Sequence, residues 1–437
     1  MKDNDKSKSL IEGVEAKNEI KTDREDKYEK DNIKEANKKG KKRLITISIP
    51  ILLFVVIIIS VIVTMIMQNN SKDEYIDEGS STVEQNDVSS VLSEGSVTTT
   101  IDGKTIEYSG AYVVDGIEAT ISSGTYESAN DNEVVFLVIN GGTLRIDGDV
   151  TINKTGSEGF QGRGDNYSFY GINSAIAVVG EGSSAIINGA TINSDVSGAN
   201  GVVATNGGEV TIENSEITTS KNNSRGLHAT YKGIINADGV KISTQGGSCA
   251  SLATDRGEGT IKANNMTLST AGAGSPLIYS TGSITVTNST GTAEGAQIAV
   301  VEGKNSISLD GCDFSANGNG NRNEVDNAGV MIYQSMSGDA GVGTGTFIAK
   351  DCVLKVLESS KVYTETSFFF VTNTNATIEL TDTEISFSDA TKFISALGTN
   401  EWGRTGSNGG AVTISVSGIK STNTEVETDS ISSVSGL

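Results

Sequence analysis

Histidine and tryptophan each occur once in this 437-residue chain, proline twice and cysteine three times, and aromatic residues make up only 5%. A lone histidine leaves little for general acid–base work, and His228 falls in a register whose neighbours, Val203 and Leu252, are apolar. The scarcity of proline suits a backbone that cannot lose hydrogen-bond donors from a strand ladder. Three cysteines make no disulfide framework. Cys312 and Cys352 precede the same apolar column by two residues and are expected to stack as free thiols, whereas Cys249 has no counterpart. Basic residues are also short: 33 Lys and Arg against 55 Asp and Glu give a net charge of −22. Such a field repels nucleic acid, and an acidic polysaccharide would need a local basic patch or a bridging cation such as calcium. No motif calls for a cofactor or a bound metal.

Long apolar runs are equally scarce, with one exception. Residues 1–43 hold fourteen basic and eleven acidic residues, bury too little to offset ordering entropy, and are expected to be a disordered cytoplasmic tail. Residues 44–67 then carry no charge at all. As a helix this run would measure about 36 Å, enough to cross a hydrocarbon core of about 30 Å, and it is expected to be a transmembrane signal anchor. A cleaved signal peptide fits less well, because the charged leader is too long and no small-x-small site follows. The basic cluster Lys38, Lys39, Lys41, Lys42 and Arg43 on its N-terminal flank puts the N-terminus inside and the remainder outside the cell. Residues 68–95, acidic and serine-rich, read as an extended extracellular spacer.

What the chain has in abundance is a repeat. "GGEVTIENSEITTS" (207–220), "GIINADGVKISTQGG" (233–247) and "GTIKANNMTLSTAG" (259–272) share one plan of two short apolar alternations separated by a polar pair. One apolar column reads Ile186, Val210, Ile234, Ile261, Ile284 and Ile307; another reads Ile192, Ile217, Ile242 and Leu268, lapses at Thr292, and resumes at Phe314, Leu354 and Ile385. A third aligns Ala204, Ala229 and Ala253. Units this short cannot bury their apolar faces alone, so they stack, one coil per repeat, each strand pairing in parallel with its equivalents above and below. The expected fold class is all-β: a right-handed parallel β-helix solenoid of about ten coils over residues 134–422, with 96–133 as an N-terminal cap and 423–437 as a polar tail. The polar pair supplies Asn188, Asn214, Asp238, Asn264, Asn288, Asp310, Asp351 and Asp382, read as a structural corner ladder because Asn and Asp tolerate left-handed backbone.

The coil period, these corners, and segments such as "GDNYSFYGINSAIAVVGEGS" (164–183) and "NEWGRTGSNGGAVTISVSG" (400–418) give a family likeness. The chain resembles right-handed parallel β-helix proteins of the pectin-lyase-like superfamily, and within it the adhesin-like surface proteins of Gram-positive anaerobes. The resemblance implies the fold; activity varies widely across that superfamily. The Asn-Thr-Asp, Asp-Asp and Gly-His-Gly motifs of its hydrolases are missing.

Function then divides into two classes. In the first, a non-catalytic, membrane-anchored surface protein contacts extracellular glycan or a surface protein through loops of irregular length. Its candidate ligand-binding residues are Phe160, Arg163, Asp165, Tyr167, Phe169 and Tyr170 in one loop and Trp402 in another, since aromatic rings beside amides and arginine suit sugar faces and protein hot spots. The same loops are also able to fold back and plug the solenoid's flank. In the second, a surface-tethered lyase or hydrolase acts on acidic polysaccharide through Lys232, Arg256, Tyr231 and Asp255, which are expected at one corner.

Overall fold

The computed structural model describes residues 92–156, 166–319, 327–335, 337–357, 367–388, 391–399 and 408–437. The expected tail, the apolar run 44–67 and most of the spacer lie outside them. Among the described residues no helix is long and apolar enough to cross a membrane.

The described residues are all-β apart from the five-residue helix Asn166–Tyr170, and their long parallel sheets are stacked as in a β-helix. Sheet A has 13 strands and sheet B has 21. Each complete coil gives one strand to sheet A and two to sheet B. Val202–Thr205, for example, pairs in parallel with Ile176–Val179 and Leu227–Thr230, while Glu209–Glu213 lies between Ser184–Asn188 and Ile234–Asp238. The first strand of sheet A, Gly95–Ile101, is antiparallel and forms a hairpin with Lys104–Asp115, which itself pairs in parallel with Glu133–Ile139. Residues 423–437, expected as a tail, instead carry the strands Val426–Thr428 and Ser433–Ser435.

The two sheets read differently in sequence because they are buried differently. Strands of sheet B alternate, as in Glu209–Glu213, with Val210 and Ile212 buried and the residues between them facing out. Away from the ends of sheet A the strands are buried on both faces, so Ile176–Val179 and Val202–Thr205 are continuous runs of small and branched residues. A second apolar cluster, including Ile106, Tyr108, Leu137, Tyr167, Tyr170 and Ala177, packs on the outer face of sheet A.

The registers correct three of the expected columns. The inward row is Ala185, Val210, Ile235, Ile261, Ile284 and Ile307, not Ile186 and Ile234. Ile186 pairs with Thr211 and is 39% exposed. Ala185 is a weak apolar signal beside a strong one, yet a one-residue slip would turn the whole strand inside out. The lapse in the second row is Gly291 rather than Thr292; it lies between Leu268 and the bulky Phe314, and a Cβ there would meet the Leu268 carbonyl oxygen at 2.7 Å. Ala253 pairs with His228, not with Ala229, because the turn after Asp255 is one residue longer and passes through left-handed Gly257 and Glu258.

The corner ladder is two ladders. Asn214, Asn288, Asp351 and Asp382 occupy a left-handed position, φ 47–51°, that Gly189, Gly239 and Gly311 fill in other coils. Asn188, Asp238, Asn264 and Asp310 stand one register earlier, in the strands. Their side chains bond one another on the outside: Asn214 Nδ2 donates to Asn188 Oδ1 at 2.9 Å, Asn264 Nδ2 to Asp238 Oδ2 at 3.1 Å, and Asn288 Nδ2 to Asn264 Oδ1 at 3.0 Å. They do not serve buried turn amides. That work falls to the next residue inward, where Ser215 Oγ accepts from Ala190 N at 3.1 Å, Ser289 Oγ from Met266 N at 2.9 Å, and Cys352 Sγ from Cys312 N at 3.4 Å. All three cysteines are free and buried, and Cys312 and Cys352 do stack on consecutive coils.

One interior position is unusual. In the row of Ser128, Ser194, Thr219, Thr244 and Thr270 the coil after Ser128 carries Lys154, almost wholly buried, whose Nζ donates to the Asn130 carbonyl at 2.5 Å. Burial lowers its pKa to about 8, against the opposing pull of Glu133 and Asp131.

Candidate functional site

The outer face of sheet A gathers most of the chemically versatile side chains. Its outward row runs Val203, His228, Ala253, Tyr279 and Val300. Residues 166–175 lie across it. Asn200 Nδ2 donates to the Ser168 carbonyl at 2.8 Å, Thr230 Oγ1 to the Phe169 carbonyl at 2.7 Å, and Tyr108 OH to the Tyr170 carbonyl at 2.6 Å. Tyr167, Phe169 and Tyr170, expected to face a ligand, are buried by this contact at 9%, 4% and 5% exposure. The loop folds back because its aromatics cover an apolar sheet face that would otherwise meet water. Phe160, Arg163, Asp165 and Trp402 lie outside the described residues.

Beneath Phe169 sits the single histidine. His228 is fully buried, and its Nε2 is 2.9 Å from Asp255 Oδ2, which also receives Arg225 Nε at 3.4 Å. Burial pulls the imidazole below its ordinary pKa, more strongly than the Asp255 carboxylate raises it. The guanidinium groups of Arg225 and Arg256 lie 5.2 and 4.7 Å from the Phe169 ring centre.

Of the four residues of the lyase reading, Tyr231 and Arg256 are joined by a backbone hydrogen bond between neighbouring coils, and Asp255, Arg256 and Tyr231 turn their functional groups to the protein. Asp255 is buried against His228 and Arg225. Arg256 Nε is paired with Asp339 Oδ1 at 2.5 Å. Tyr231 stacks on Tyr170 with ring centres 5.3 Å apart, and burial pushes its phenol well above the ordinary tyrosine range. Lys232 is exposed, on a left-handed backbone of φ 66°.

A second polar cluster on this face escaped sequence reasoning. Glu302 is buried, with Oε2 accepting from Tyr279 OH at 2.5 Å and Tyr333 OH at 3.0 Å, and Oε1 accepting from the Ser335 hydroxyl and from Ser335 N at 3.3 Å. Burial raises its pKa, and the three hydroxyl donors oppose that rise. Glu302 pairs in register with Tyr333, while Tyr279 stands one coil earlier in register with Val300, an arrangement legible only with the register in hand.

Sheet B presents its outer face to solvent. There a groove of about 320 Å³ runs over four coils, lined by the outward rows Thr211, Asn236, Lys262, Thr285 and Glu213, Asp238, Asn264, Thr287. Both oxygens of Asp238 accept amides, from Asn264 at 3.1 Å and Asn265 at 2.8 Å, and these bonds hold its carboxyl below the usual range. Among the described residues no group of three or more His, Cys, Asp or Glu side chains is placed to hold a metal ion. Compared with protein-family models, curated proteins and solved structures, the chain has no match.

Proposed function

We propose that this chain is a membrane-anchored, adhesin-like surface protein, a right-handed parallel β-helix of the pectin-lyase-like kind that binds extracellular glycan without turning it over. The supporting observation is where the reactive groups point. Asp255, Arg256, Glu302 and His228 Nε2 are paired with other groups of the protein, and Tyr231 is stacked on Tyr170, on the outer face of sheet A. A catalytic group must reach the atom it attacks or protonates. The surface left for recognition is the polar outer face of sheet B and the loops.

The anchor and topology rest on the uncharged run 44–67 and its basic flank. Protease added to intact protoplasts is expected to leave only a small N-terminal fragment; protection of residues 96–437 would overturn the orientation. For the function, the full-length chain is screened on a glycan array with and without calcium, then incubated with polygalacturonate. Retention on the array without unsaturated products or new reducing ends is the expected result. Sustained product formation that disappears in a Lys232→Ala, Arg256→Ala variant would sink the binding-only reading.

A further inference from the structure

We propose that residues 166–175 form a pH-sensitive cover over the outer face of sheet A, closed while His228 is neutral and released when mild acid protonates it. The inference goes beyond the glycan-binding reading and does not depend on it. The imidazole lies fully buried between sheet and cover, with the Phe169 ring turned edge to face against it at 6.2 Å between centres. Asp255 accepts from it at 2.9 Å, so the neutral ring carries its one hydrogen on Nε2.

The charges around the ring already balance. Arg225, just before the strand of His228, pairs with Asp255, at the end of the next strand, at 3.4 Å. Arg256, which also lies over Phe169, pairs with Asp339 at 2.5 Å. The preceding strand, Val202–Thr205, has no titratable group, and residues 166–175 bring the phenols of Tyr167 and Tyr170 but no carboxylate or basic side chain. Tyr279 and Glu302, bonded to each other, stand two and three coils along the face, roughly 10–14 Å away at one strand spacing per coil. An imidazolium would therefore add one uncompensated charge to two buried ion pairs, and burial accordingly pulls the His228 pKa down.

Water reaches the ring most readily by lifting the cover. The strand Leu227–Thr230 is laddered on both sides, whereas the cover is tied to it by separate bonds from Asn200, Thr230, Tyr108 and Arg225. Once open, the ring takes a proton near its ordinary value of about 6.5; closed, it does so only at lower pH. Closure is thus fully favoured above about 6.5 and weakens as pH falls, by about tenfold between pH 7.5 and 5.5. Opening uncovers the apolar face at Ala177 and Val203.

The test uses the full-length chain in detergent, whose single histidine gives one imidazole resonance to titrate. That resonance is expected to titrate below the ordinary imidazole range. Amide exchange, corrected for its intrinsic pH dependence, should show residues 166–175 opening about tenfold more at pH 5.5 than at 7.5, while Glu209–Glu213 stays protected. His228→Gln keeps a donor for Asp255 but binds no proton in this range, and should remove the difference. Equal opening of the wild type at both pH values, or an unchanged acid response in His228→Gln, would overturn the proposal. If the glutamine variant does not fold, the wild type decides alone: an opening midpoint that fails to track the histidine resonance overturns it, and one that tracks it upholds it.

Discussion

Arg256 and Asp339, 83 positions apart, are joined by a 2.5 Å ion pair, and the same guanidinium lies over Phe169 from the segment 166–175. One side chain thus ties two irregular segments to the outer face of sheet A. The pair is mostly buried, at 25% and 17% exposure, so removing one partner strands the other. Arg256→Ala is expected to cost about 1–3 kcal/mol through the lost charged hydrogen bond and ring contact. Amide exchange should accelerate in both 166–175 and 337–343, with Lys232→Ala as a silent control. Faster exchange in only one segment would disprove the tie.

The two corner ladders separate by substitution. Ser215→Ala leaves the buried Ala190 amide without its acceptor and is expected to cost about 1–3 kcal/mol. Asn214→Ala keeps that bond and loses only an exposed amide contact and left-handed tolerance, about 1 kcal/mol. Asn214→Gly, suited to φ 47°, should be close to neutral. Chemical denaturation of the three variants gives the order; a larger loss in Asn214→Ala than in Ser215→Ala would contradict it.

Lys154 makes stability depend on alkaline pH. Its folded pKa, about 8, lies below the ordinary lysine value of about 10.4, so the folded state releases this proton first. Its contribution is complete above the unfolded value and is lost as pH falls through 8. Between pH 7 and 9.5 the wild-type melting temperature is therefore expected to rise, and Lys154→Met should flatten the curve. A Lys154→Met profile parallel to wild type would refute the assignment.

Cys352 stands where other coils have serine or threonine. Its sulfur accepts from Cys312 N and lies 3.1 Å from the Lys350 carbonyl, contacts a hydroxyl reproduces. Cys352→Ser should change stability by less than about 1 kcal/mol, whereas Cys352→Ala should cost about 1–3 kcal/mol by orphaning the amide. In the native protein all three thiols should resist a water-soluble disulfide reagent and react on unfolding.

The sequence by itself determined the architecture. Apolar alternation recurring at a near-constant interval admits only stacking, and Asn or Asp beside each bend marks the left-handed corner. It also located the irregular segments, because insertions break the period. Which of two adjacent residues faces inward at Ala185 and Ile186 was not legible, since hydropathy ranks the exposed isoleucine above the buried alanine; the parallel register, set by the strands stacked on either side, overrides it. Nor was the fate of Tyr167, Phe169 and Tyr170, because an aromatic-rich loop reads the same whether it meets a ligand or its own sheet. The tertiary structure decided that by leaving the outer face of sheet A apolar at Val203 and Ala177, a surface that costs free energy until something covers it.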